Sequence, residues 1–125
     1  NAALMQQAGV VVAINSDDAE MSRRLNQEAA KAVKYGNVNE IDALKMVTLN
    51  PAKLLHLDDR MGGIKVGKDA DLVLWSDHPL SVYARADNTW VDGIAYYSRD
   101  EDRMLRQQIA DERDRIIAAI TAKGE

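Results

Sequence analysis

Two adjacent carboxylates, Asp17 and Asp18, follow the apolar run Gly9-Val10-Val11-Val12-Ala13-Ile14 with only Asn15 and Ser16 between. A carboxylate in that position can ligate a divalent metal and can accept a proton from metal-bound water. It can equally cap the helix that follows, since an aspartate accepts hydrogen bonds from the free N–H groups of a first turn. Both uses are open for Asp17, while Asp18 reads as a cap or loop residue. The two histidines, His56 and His78, lack a partner at the i+2 or i+4 spacing of a metal site and read as structural or solvated. Ser16 has neither a nearby histidine nor the glycines of a nucleophile elbow. The glycines and lysines of residues 62–69 match neither GxxxxGK[ST] nor GxGxxG, so a turn is expected there and not a phosphate cradle.

The elements around Asp17 set its position. A short helix is expected over residues 2–8, stopped by Gly9. Val10–Ile14 reads as a strand buried on both faces, as in a parallel sheet. Asp17 then stands past the strand's C-terminal end, where barrel enzymes place their chemistry. A helix from about Ser22 to Tyr35 carries Leu25, Ala29, Ala32 and Val33 on one face, with Gly36 beyond its end. Asn39 can cap a helix over residues 40–47 with Ile41 and Leu44 inward. Asn50-Pro51 reads as a cap and first helical residue, opening a helix that carries Leu54, Leu55 and Leu57.

Beyond Asp58 the pattern changes. A short strand and turn are expected over residues 62–69, and a buried strand over Ala70–Trp75. Two further strands within Thr89–Tyr97 join at Asp92-Gly93, a strong hairpin signal. From about Asp100 to Lys123 the chain is expected to be helical, with Gly124 as its stop. Leu105, Ile109, Ile116 and Ile120 share one face that Glu112 interrupts, which predicts partial burial. Asp100–Asp102 suit a helix start, and Asp111–Arg115 suit a solvated face. Trp75, Trp90, Tyr96 and Tyr97 read as core and sheet residues. The class is α/β, in three segments: 1–57, 58–98 and 99–125.

Composition narrows the function. The 125 residues carry a net charge of −4 with a pI near 5.2, which argues against a nucleic-acid surface. No basic block suggests a membrane patch, and no apolar stretch approaches the roughly 18 residues of a membrane span. Cysteine is absent, which removes thiolate chemistry and cysteine-type zinc sites. No signal peptide is visible, and the chain opens on Asn1, as expected of a processed chain or a piece of a longer one. Cytoplasmic and periplasmic locations both stay open.

Four segments in order carry a family resemblance. Ala8–Asp17 looks like an eighth barrel strand with a terminal aspartate. Ala43–Leu55 is similar to an "A-T-x-N-P-A-x-x-L" helix pair, and Gly63–Trp75 to "G-x-I-x-x-G-x-D-A-D-L-V". Thr89–Gly93 resembles a closing "V-x-V-x-G" strand. Together they resemble the C-terminal end of the metal-dependent amidohydrolase superfamily, most like its imidazolonepropionase-related members.

The resemblance implies a C-terminal fragment of a (β/α)8 barrel, part of a small β-sandwich beside it, and a C-terminal helix. It implies a divalent metal, commonly zinc, that activates water against an amide or cyclic C–N bond of a small molecule. Asp17 would be both metal ligand and catalytic proton carrier, and Gly63–Trp75 would be scaffold. The family's H-x-H pair, mid-barrel Lys or Glu and two later histidines are all missing here. The chain is therefore expected to be inactive alone and to hold no metal by itself. It is expected to self-associate as a homo-oligomer, because the barrel strand would have open edges and uncovered faces. The competing expectation is a free-standing, non-catalytic α/β module that works by self-association.

Overall fold

The computed structural model describes residues 1–122. Helices α1 (Ala2–Gln7), α2 (Ala19–Ser22), α3 (Leu25–Gly36), α4 (Glu40–Lys45) and α5 (Leu49–Leu54) come first. Strands β1 (Leu72–Trp75), β2 (Ala86–Val91) and β3 (Ile94–Ser98) follow, and α6 (Arg99–Thr121) closes the chain. The strands form one antiparallel sheet in the order β1-β2-β3. The chain is thus α/β in content, with helices and sheet segregated along the sequence. The expected end of the last helix at Lys123 and the Gly124 stop fall outside the described residues.

The core lies among the helices. Val12, Ala29, Ala32, Val38, Ala43, Met46 and Leu80 form one buried cluster, and Met46 at its centre is fully enclosed. Most of these side chains are small, so the helices approach closely. Gly36 shows how closely: a Cβ there would stand 2.3 Å from the Cβ of Ala3. This glycine ends α3 as a helical residue because α1 packs against it. The left-handed position expected just past the helix is taken by Asn37, with φ 53°.

Residues 10–14 do not form the expected strand. Only Val12 is buried, and Val10 and Val11 stay 47% and 49% exposed. A strand needs a neighbour for its ladder, and the described residues place none beside it. Among the described residues its backbone tethers are Val10 N–H to the Met5 carbonyl (3.0 Å) and Ile14 N–H to the Met46 carbonyl (2.9 Å). Residues 62–69 likewise form turns with no strand, leaving Ile64 and Val66 almost fully exposed.

Local polar chemistry fixes the helix starts. Asp18 caps α2, accepting from Glu20 N–H (2.8 Å) and Met21 N–H (2.9 Å). Asn39 caps α4 through Asp42 N–H (2.9 Å). The Asp42 carboxylate in turn accepts from Lys45, Asn39 and Gln6, and the Lys45 ammonium followed by Asn39 holds it below the usual carboxylate range. Ile41, expected inward, is 68% exposed, and Ala43 and Met46 take the buried positions of this turn. Thr48, not Asn50, occupies the cap position of α5. Leu54 and Leu55 are exposed as well.

The hairpin forms where Asp92-Gly93 predicted it. Both turn residues have positive φ, 51° and 77°, the handedness that matches strand twist. Asp71 braces the turn by accepting from Asp92 N–H (3.0 Å), and Gly93 N–H reaches the Ala70 carbonyl (3.1 Å). Asp69 pairs with Arg60 (2.8 Å), and the Lys68 ammonium binds the carbonyls of Asp58 and Met61. Lys68, Asp69 and Asp71 of the Gly63–Trp75 segment therefore hold a loop and a turn in place. Helix α6 is longer than any other element but buries no residue. The stripe Leu105, Ile109, Ile116 and Ile120, expected to be partly covered, is exposed; α6 meets the sheet at β2 and β3, and Arg99 at its start pairs with Asp87 (2.9 Å).

Candidate functional site

Asp17 sits in the loop between the core-anchored Val12 and helix α2. The residues around it have local duties. The Ser16 hydroxyl accepts from Asp18 N–H (3.1 Å) and donates to the Asp18 carbonyl (2.9 Å), closing a tight turn. Asn15 Oδ1 accepts from Ser16 N–H (2.8 Å). Asp18 is committed to its cap. Asp17 alone has no structural duty: its side chain is exposed and meets only the Asn15 amide at 3.5 Å, the outer limit of a hydrogen bond. The cap reading, open for both aspartates in the sequence, belongs to Asp18.

Two bonds from the α4–α5 corner hold the stretch leading to Asp17. The Asn50 side-chain amide donates to the Val12 carbonyl at 2.8 Å. The Met46 carbonyl accepts from Ile14 N–H. The sequence assigned Asn50 to a helix cap and missed this role. No local spacing could reveal it, because the partner lies 38 residues away.

The histidines stand apart from Asp17. His56 occupies a left-handed position (φ 57°) just past α5 and is exposed. His78 Nδ1 accepts from Leu80 N–H at 3.4 Å, and its Nε2 lies 3.6 Å from Glu40. Two open grooves flank α3, and Asp17 lines neither. Among the described residues, no three histidine or carboxylate side chains gather closely enough to share a metal ion. A catalytic zinc takes about three protein ligands, so the described residues alone do not fit one.

The family model described as "Amidohydrolase family" matches residues 1–124. The chain belongs to the amidohydrolase family. An amidohydrolase structure from Thermotoga maritima is 40% identical, with a TM-score of 0.70, over 76% of this chain and 25% of that one. An adenosine deaminase from Xanthomonas campestris, solved with bound zinc, is 28% identical with a TM-score of 0.62, over 94% of this chain and 34% of its own. An imidazolonepropionase from Picrophilus torridus is 40% identical over 65 residues, 50% of this chain and 16% of the relative. The amidohydrolase chain described here thus spans about a third or less of the length of the proteins it matches.

Proposed function

We propose that this chain is the C-terminal portion of a metal-dependent amidohydrolase that cleaves an amide or cyclic C–N bond of a small molecule with activated water. Residues 1–57 supply the last barrel strand and the helices after it. Residues 58–98 supply a segment of the β-sandwich, and 99–125 the terminal helix. The observation that carries the reading is Asp17, a carboxylate held out from a buried anchor with no structural partner. In the complete enzyme Asp17 would be this chain's contribution to holding the metal, the metal would supply activated water, and the Asp17 carboxylate would take up that water's proton and return it to the leaving nitrogen. The relatives named as a deaminase and an imidazolonepropionase support hydrolysis at carbon–nitrogen bonds. The zinc in the deaminase structure supports zinc as the metal.

Stripping the full-length protein of metal with a chelator should abolish its hydrolysis of amide or aminopurine compounds, and added zinc should restore it. Hydrolysis that persists after complete metal removal would sink the reading. The 125-residue chain by itself should show no hydrolysis.

Its surface supports the same assignment. The chain exposes 9563 Å², whereas a compact 13.9 kDa monomer exposes about 6,700 Å². The excess of roughly 2,900 Å² is the area of a large permanent interface. Val10, Val11, Ile64 and Val66 contribute to it, at places where strands with neighbours would be covered. Without the rest of the enzyme the chain should associate with itself. Light scattering across a concentration series should show a mass that rises above 13.9 kDa, and a constant monomer mass would refute the association.

A further inference from the structure

We infer that the apolar stripe of α6 docks against the α6 of a second copy of this chain, the two helices lying parallel and in register. The inference concerns a different surface from the Asp17 loop and stands whether or not that loop borders a metal. The stripe is exposed from Leu105 to Ile120, and the 23-residue helix buries no residue. An unpaired copy leaves these side chains in water and the far turns of the helix open to unwinding.

The residue types point to the occupant. Positions 102, 109 and 116 are the a sites of a seven-residue repeat, and 105, 112 and 119 are its d sites. Ile109 and Ile116 stand at a, and Leu105 and Ala119 at d. Branched residues at a with leucine at d favour two parallel strands. Asp102 and Glu112 are the polar members of the repeat. Asp102 lies at the root of the helix and is tied to Arg106 (2.7 Å).

The charges beside the stripe select the same orientation. Glu101 and Glu112 line one side of it, and Arg106 and Arg113 line the other. Parallel copies set each side against the opposite side of the neighbour. Glu112 then meets the second copy's Arg113, and Glu101 meets its Arg106, the step by which such pairs choose their partner. Antiparallel copies would set glutamate beside glutamate and arginine beside arginine. The groups have room for these bonds. Arg113 has no ion pair among the described residues. Arg106 uses its Nε on Asp102, which leaves its terminal nitrogens. Arg115 binds both oxygens of Glu112, and a carboxylate accepts about four bonds in all.

The 125 residues contain no cysteine, so any bridge between two α6 helices must come from introduced thiols. Ile109→Cys, Ile116→Cys and, on the opposite face of the helix, Asp114→Cys should be made in the full-length protein and oxidised gently beside the parent. Peptide mass mapping locates the bridges. Parallel, in-register helices bring like positions of the stripe within the roughly 7 Å Cα separation that a disulfide spans. Ile109→Cys and Ile116→Cys should each give a dimer bridged at the new residue, and Asp114→Cys should not. Glu112→Arg and Arg113→Glu each set like charges across the contact. Each should weaken dimerisation, read by sedimentation, at least about tenfold, and an equal mixture of the two should recover it.

No bridge at position 109 or 116 overturns the inference, and this is the result if an earlier part of the same protein covers the stripe. When the Ile109→Cys and Ile116→Cys proteins are mixed, a dominant bridge from 109 to 116 overturns the parallel arrangement. Charge variants that dimerise as the parent does overturn the pairing of Glu112 with Arg113.

Discussion

Changing Asp17 to Asn in the full-length amidohydrolase should lower turnover by about 10²- to 10⁴-fold, the usual contribution of a positioned general base, while the protein melts as before. The second half of this expectation follows from the structure. The Asp17 side chain is exposed and makes one contact, at 3.5 Å to Asn15. Surface substitutions without a structural partner change stability by about 0.5 kcal/mol or less. Asn keeps the shape of Asp and removes the negative charge that accepts a proton. Asp18 should behave in the opposite way. It caps α2 with two bonds, so Asp18→Ala should cost about 1 kcal/mol of stability and leave turnover within a few-fold. Steady-state kinetics beside thermal melts of both variants would separate them. Equal turnover in Asp17→Asn and the parent would remove Asp17 from the chemistry.

The second large effect is expected at Gly62. Its φ is +82°, a conformation that side-chain-bearing residues adopt at a cost of about 1–2 kcal/mol. A Cβ there would also stand 2.7 Å from the Cβ of Ala52, 3.0 Å from Leu49 Cα and 3.2 Å from the Thr48 carbonyl oxygen. Two of these neighbours are backbone of α5 and its cap, and the third is a 4% exposed alanine. None can swing aside as a flexible side chain would. Overpacking of this kind adds about 1–3 kcal/mol, so Gly62→Ala should cost about 2–5 kcal/mol in all. Gly93 gives the comparison: its φ is +77°, but the nearest atom to a new Cβ is 3.8 Å away. Gly93→Ala should cost only the conformational part, about 1–2 kcal/mol. Denaturant titrations of the two variants test this, and equal losses would show that crowding at Gly62 relaxes.

What the sequence could and could not disclose follows from the range of each interaction. The hairpin was readable because Asp92-Gly93 carries its own instruction in two adjacent residues, and the cap at Asn39 was readable for the same reason. Asp18 read as a cap or loop residue from the start, but the freedom of Asp17 was not legible, since it stands one residue before Asp18 and could have capped the same helix. Val10–Ile14 has the composition of a buried strand, yet strand formation depends on a neighbour, and none stands beside it among the described residues. The same holds for Ile64 and Val66. The inward position of Ile41 on α4 and the covered face of α6 were misplaced for a related reason, while Leu44 does pack against the core. Periodicity marks which residues share a face and says nothing of what lies opposite. Asn50 was hidden because Asn before Pro is also a common helix opening, and its partner is remote in sequence.

Helix α6 has a mechanical consequence. Its 23 residues make a rod about 34 Å long at 1.5 Å per residue. The rod is fastened at one end, by the Ser98 cap and the Arg99–Asp87 pair. Beyond that root, among the described residues, its own i,i+3 and i,i+4 pairs, such as Arg106–Asp102 and Arg115–Glu112, oppose unwinding. Such pairs contribute about 0.2–0.5 kcal/mol each, so the rod melts from its free end inward while the hairpin beneath it stays closed. Arg103, Arg106, Arg113 and Arg115 then become open cleavage points for a trypsin-like protease, and the helix can be trimmed back to its root without disturbing the loop that presents Asp17.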